Sequence, residues 1–308
     1  MRTGALVLGA LGLGLTAAAC GSDASDDGDR PLEVVATTGQ LHDAVANVAG
    51  DLVELTPLLG PGVDPHLYVP TEGDVQTFDD ADVIFYNGLF LEAQMERILE
   101  QLAGSKTVVA VGDEQPEDGL IPVGGGEFDP HIWNDPTLWQ MVVETIRDTL
   151  VADDPDNADA YRENSEAYLA EIEATDAEVE QLLAAIPAEQ RLLITAHDAF
   201  GYFAQRYDLE VTGLQGISTE SEASTRDVQD LADLIVDRSI PAIFVETSVS
   251  ARSIEAVQAA VEAQGASVEI GGALFSDALG ESGHPADTYL GMLRHNAETI
   301  AGALAPTG

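Results

Sequence analysis

No glycine occurs between Glu127 and Phe200, although the chain contains 29 of them. Glycine is where a backbone most easily turns, so a long stretch without it connects its two flanks stiffly. Within this stretch Asp153-Asp154-Pro155 supplies a cap and a first-turn proline for a helix. Tyr161, Tyr168, Ile172, Val179, Leu182 and Ile186 then mark one apolar stripe, and Pro187 ends it. A helix over 155–186 would reach about 45 Å at 1.5 Å per residue. That is too long for one small domain and suits a spine between two. A wide hinge is not expected.

Both flanks alternate strands with helices. In the first, strands are predicted at 32–38, 52–59, 82–86 and 107–111, with helices at 39–49, 71–80 and 90–102 between them. An acidic, Gly/Pro-rich loop follows over 113–127, then a helix from Pro136 to about Val151. The second flank reads as strands at 191–196, 209–214, 242–246 and 267–270, with helices at 224–238, 251–264 and 287–304. Residues 271–277 are predicted as an irregular loop carrying an acid. The pattern predicts an α/β fold of two (β/α) lobes with parallel sheets, joined by one long rigid helix. We place the lobes at 32–153 and 188–308 and the linking helix at 154–187. In open sheets of this kind, ligands collect beyond the carboxyl ends of the strands.

Residues 1–20 read as a leader: Arg2, an apolar run from Ala5 to Leu15, then Ala17-Ala18-Ala19 before Cys20. The apolar run is too short to span a bilayer comfortably. Cys20 is the chain's one cysteine, so it cannot form an intrachain disulfide, and its place after a small-residue site points to another role. The pattern resembles a bacterial lipoprotein signal, which implies lipidation of Cys20 and a membrane anchor. It departs from that pattern in carrying Ala17 where leucine is usual. Residues 21–31 are small, polar and acidic and are expected to form a flexible tether.

The chain has 55 acidic residues against 12 basic ones, a formal charge of −43. Phosphate would repel such a surface, which excludes nucleic acid as a partner. The acids are scattered rather than blocked, which favours a solvated surface suited to salt over an electropositive target.

Two of the six histidines stand behind the same dipeptide, in Asp64-Pro65-His66 and Asp129-Pro130-His131. Proline fixes its own φ and keeps the preceding residue out of helical space. Each imidazole is thus delivered on a stiff, non-helical approach, which spares a ligand the entropy of being ordered on binding. His197 follows a predicted strand, and Asp277 lies in the loop after the last one. Three imidazoles and one carboxylate form a coordination set for a borderline divalent metal. Because they come from both halves, the ion would lie in the cleft between the lobes. His42, His284 and His295 read as structural or solvated, and Glu246 as a supporting or capping residue rather than a ligand.

The segments around His66, Asp129 to Trp133, Thr195 to Phe203, Leu214 to Thr219 and Gly271 to Asp277 together resemble the zinc/manganese-binding lipoproteins of bacterial ABC importers. The similarity spans about Leu32 to Leu304. It implies an extracytoplasmic, non-enzymatic receptor that binds one Zn2+ or Mn2+ ion as cargo and delivers it to an ABC permease. It carries the ligand roles to His66, His131, His197 and Asp277, and the receptor is expected to act as a monomer. Some manganese importers have glutamate at the third ligand; histidine, as here, occurs in zinc importers and in a mixed branch. The long His-rich loop of many zinc-dedicated members is missing, and residues 113–127 are acidic instead.

A zinc hydrolase is the alternative, since three histidines around zinc can leave a position for water. Asp277 as fourth ligand argues against it, as does the lack of a His-Glu-x-x-His arrangement. Nothing in the sequence provides the adhesive surface that an adhesin would need.

Overall fold

A computed structural model describes Met1 and residues 30–305. The leader beyond Met1, Cys20 and the tether up to residue 29 lie outside the described residues.

The first half is built on a four-stranded parallel sheet in the order β2-β1-β3-β4. Its strands are β1 (Leu32–Ala36), β2 (Val53–Pro57), β3 (Val83–Tyr86) and β4 (Thr107–Ala110). Three helices connect them: α1 (Gly39–Ala49), α2 (Glu72–Asp80) and α3 (Ala93–Leu102). All four residues of β3 are buried, as a central strand covered on both faces requires. The acidic loop that follows contains a small antiparallel hairpin, β5 (Pro122–Gly124) with β6 (Glu127–Phe128). Asp135 then caps α4 (Pro136–Asp153), accepting from Thr137 N, with Pro136 in the first turn.

The long helix α5 (Ala158–Leu183) has 26 residues, which gives about 39 Å. It is shorter than the sequence predicts at both ends. Pro155–Asn157 form a 3-10 turn, and the chain leaves the helix at Ala184 because Pro187 bars helical geometry at Ile186. Its N-terminal half serves the first lobe: Asn164 Nδ2 donates to Val48 O (3.0 Å) and Tyr168 OH to Asp43 Oδ2 (2.8 Å). Its C-terminal half serves the second, where Asp176 accepts from Tyr207 OH (2.8 Å) and pairs with Arg206.

The second half carries two parallel strand pairs, β7 (Leu192–His197) with β8 (Glu210–Gln215) and β9 (Ala242–Glu246) with β10 (Glu269–Leu274). Its helices are α6 (Gly201–Arg206), α7 (Thr225–Arg238), α8 (Arg252–Ala263) and α9 (Tyr289–Leu304). The short α6 has no counterpart in the sequence reading. A second difference concerns β10, which continues through Gly271-Gly272 where an irregular loop is predicted. The register slips between Ile270 and Gly272. A Cβ at Gly271 would stand 2.6 Å from Ala303 Cβ and 2.8 Å from Phe244 Cε1. Glycine there lets the strand lie against α9, so the pair marks a bulge rather than a strand end.

One apolar core runs through both halves, from Val34 and Val45 through Trp133, Trp139 and Tyr161 to Phe244, Tyr289 and Ile300. Trp139 stacks on Tyr289 at 5.1 Å between centroids, and Tyr289 OH donates to Trp133 O (2.9 Å). A shared core of close-packed aromatic rings resists shear between the lobes.

Candidate metal centre

His66 lies in the loop between β2 and α2. His131 leads into a 3-10 turn (Ile132–Asn134), His197 is the last residue of β7, and Asp277 lies three residues beyond β10. The structure brings these four side chains together, with one possible donor atom from each within 4.8 Å of the rest. All are buried, His131 and His197 at 0% exposure. His131 Nε2 stands 3.3 Å from His66 Nε2, 3.4 Å from His197 Nε2 and 3.5 Å from Asp277 Oδ1. Asp277 Oδ2 stands 3.3 Å from His197 Nε2. A tetrahedron with metal–nitrogen distances of about 2.0–2.1 Å has edges of about 3.3–3.4 Å. The two imidazole–imidazole separations match that figure, and Asp277 presents one oxygen to each of His131 and His197, so the cluster can hold one metal ion.

The aspartates of the two Asp-Pro-His triplets do more than stiffen the approach. Proline offers no N–H, and in each triplet the carboxylate instead accepts from the histidine two residues on: His66 N to Asp64 Oδ1 (2.9 Å) and His131 N to Asp129 Oδ1 (3.0 Å). Asp129 Oδ1 also lies 2.7 Å from His131 Nδ1. That contact puts the proton on Nδ1 and leaves the Nε2 lone pair aimed at the cluster. Asp64 turns its other oxygen across the cleft to Thr219 Oγ1 (2.6 Å).

Glu246, the last residue of β9, supports His197. Its Oε1 accepts from His197 N (2.8 Å), and its Oε2 lies 2.5 Å from His197 Nδ1 in a close contact outside hydrogen-bond geometry. Gly213 allows β8 to approach, since a Cβ there would meet His197 C at 2.5 Å.

Three carboxylates, those of Asp129, Glu246 and Asp277, thus converge on three imidazoles away from water. Buried negative charge of this density calls for a cation. Burial drives the pKa of His66 down to about 3, so that imidazole is neutral and ready to ligate. Burial also opposes protonation of His197, yet the carboxylates of Asp277 and Glu246 outweigh it and raise this pKa well above the ordinary value. Burial likewise opposes charge on Asp277, but the facing imidazoles, His197 first, hold its carboxyl well below the usual range. Without metal the balance is therefore an Asp277 carboxylate facing a protonated His197.

The other histidines lie elsewhere. His284 and His295 pack against each other at 5.5 Å and against Phe275, and His284 Nδ1 accepts from Ala286 N (3.0 Å). His42 belongs to α1. The sequence reading missed the parts played by Asp64, Asp129, Gly213 and Thr219. For the two aspartates a signal was present, an acid two residues before each histidine. For the others there was none, because their partners are distant in the chain.

A family described as zinc-uptake complex component A, periplasmic (ZnuA), matches residues 34–303. The zinc-binding protein TroA of Treponema pallidum is 47% identical over 300 residues, covering 97% of this chain and 96% of that protein. A solved structure of periplasmic TroA superposes with a TM-score of 0.88 at 46% identity, covering 90% of this chain and 100% of that one. The manganese-binding lipoprotein MntA of Bacillus subtilis is 45% identical over 287 residues, with 92% and 94% covered. The manganese ABC transporter substrate-binding lipoprotein PsaA of Streptococcus pneumoniae is 31% identical over 302 residues, with 96% of each covered.

Proposed function

The chain belongs to the family of periplasmic zinc-uptake component A proteins, and from that membership we propose that it captures one Zn2+ or Mn2+ ion outside the cytoplasm and delivers it to an ABC permease. The observation that carries the reading is the set of nitrogen and oxygen contacts of 3.3–3.5 Å among His66, His131, His197 and Asp277. Two of these residues come from each half, so the ion bridges the lobes.

The protein is not an enzyme: its family and its relatives bind metals for transport. The hydrolase alternative finds no support among them, and Asp277 as fourth ligand would take the position that a reactive water needs.

The finer features belong to the same proposal. The four residues are the metal ligands, and 32–153, 154–187 and 188–308 are lobe, linking helix and lobe. Cys20 carries the lipid that anchors a monomer to the membrane surface. Relatives named as lipoproteins support this last point.

The test is metal content. Protein stripped with chelator and reloaded should hold one zinc or manganese per chain. Alanine at His66, His131, His197 or Asp277 should each weaken binding by more than about a hundredfold, beyond the cost of losing a supporting partner. His42→Ala and His295→Ala should bind as the native protein does. Native-like affinity in His131→Ala would overturn the reading. For the anchor, Cys20→Ala should move the protein from the membrane fraction to the medium or periplasm.

A further inference from the structure

We propose that Gln40 and Trp133 form a latch across the cleft that holds Asp277 in its ligating position, which makes both of them positioning residues for the metal site. This rests on reading the cluster as a metal centre.

The carbonyl oxygen of Ser276, the residue before Asp277, accepts from Trp133 Nε1 at 2.9 Å and from Gln40 Nε2 at 3.2 Å. Both donors come from the first half, one from α1 and one from the turn after His131. Gln40, Trp133 and Ser276 are each at 0% exposure. A carbonyl oxygen has two lone pairs, and here the opposite lobe engages both. The preceding residue is held from its own lobe, with Phe275 N donating to Asn296 Oδ1 (2.9 Å) and Phe275 O accepting from Asn296 Nδ2 (2.8 Å). The latch therefore acts at the peptide between Ser276 and Asp277, one residue beyond this anchor.

Apart from the imidazoles of His131 and His197 that it faces, Asp277 has little other support. Its Oδ2 takes a long contact from Ser248 Oγ (3.3 Å), and its Oδ1 has no hydrogen-bond partner among the described residues. A carboxylate that must be ordered at binding loses affinity, so fixing its peptide beforehand is worth affinity.

Gln40 fits this role better than a packing role. Its Nε2 meets only Ser276 O and, at 3.9 Å, Met292 Sδ, while its Oε1 has no partner among the described residues. A buried amide with an unpaired acceptor is costly, so an apolar side chain would pack there at less cost. What the position uses is the donor. Trp133 adds coupling between ligands: its ring stands edge-on to His131 at 5.3 Å, so the segment that carries His131 also grips the loop that carries Asp277.

The experiment is a double-mutant cycle on zinc affinity, measured against a competing chelator. Trp133→Phe keeps the ring and removes the donor; Gln40→Met keeps the length and removes the amide. Each should weaken zinc binding by about five- to tenfold, the worth of one hydrogen bond. In an Asp277→Ala background each should have no further effect, because a residue acting through Asp277 has nothing left to position. Unchanged affinity in the native background, or an equal loss in both backgrounds, would overturn the latch. If Trp133→Phe fails to fold, the Gln40→Met cycle decides alone. Native protein that binds no zinc would overturn the metal-centre reading and the latch together, whereas native binding with unaffected variants overturns the latch only.

Discussion

Asp129 holds His131 twice through a single oxygen: Oδ1 accepts from the backbone N–H at 3.0 Å and lies 2.7 Å from Nδ1 of the ring. The sister pair, Asp64 and His66, shares the backbone bond, at 2.9 Å, but Asp64 spends its second oxygen on Thr219 in the other lobe. The same triplet thus does two jobs. One orients a ring, and the other ties a ligand loop across the cleft.

The difference predicts unequal effects of mutation. Asp129→Ala should weaken metal binding by roughly 10–100-fold, the usual cost of losing the group that orients a ligating histidine. Asp64→Ala removes no ring contact and should cost less. Calorimetric titration with zinc measures both, and equal losses would show that ring orientation is not what Asp129 contributes.

Metal binding should release about one proton per ion at pH 7. His197 is the source, because Asp277 and Glu246 keep it protonated in the metal-free protein and a ligand must be neutral. Zinc affinity should then fall by about tenfold per pH unit on acidification below the raised pKa. Calorimetry in buffers of different protonation enthalpy counts the protons, and a count of zero would contradict the assignment.

The same shifts set how the metal-free fold responds to pH. The raised pKa of His197 stabilises the fold below the unfolded value of about 6.5 and ceases to do so as pH rises through the folded one. His66 works in the other direction: its folded pKa is about 3, so the unfolded chain takes up the proton first. Acidification from 6.5 towards 3 should therefore progressively destabilise the metal-free protein through His66. Denaturant melts of His66→Ala across that window should show a flatter pH dependence than the native protein.

Ligation links the lobes only in the folded state, so saturating metal should raise the melting temperature. At a hundredfold excess over the dissociation constant the gain is about 2.7 kcal/mol. Calorimetric scans of chelated and loaded protein check it, and coincident transitions would mean that no site forms.

Three nitrogen donors and one carboxylate favour zinc over manganese, as the Irving–Williams order requires. In a metal-buffered competition zinc should displace manganese at equilibrium. This does not decide the cargo, which also depends on metal supply and on extraction by the permease. Tighter manganese binding would point to another carboxylate, such as Glu246, joining the ligand shell.

Much of this was determined by the sequence alone, because it rests on local rules. The alternation of strand and helix follows from short-range periodicity. Asp135-Pro136 starts a helix by the chemistry of two neighbours, and proline in each Asp-Pro-His forces the non-helical approach that carries an imidazole. The imidazoles could be assembled because histidine is rare in this chain, six in all, and the carboxylate because the predicted loop at 271–277 holds a single acid. Only the tertiary structure decided the rest. Gly271-Gly272 reads locally as a break, yet packing against α9 keeps it inside β10. His197 and Glu246 are 49 residues apart, and Gln40 and Ser276 are 236 apart. A hydrogen bond across such a separation leaves no periodic trace in the chain. It exists because two lobes close on one core, and the distances that suit a metal ion are set by that closure.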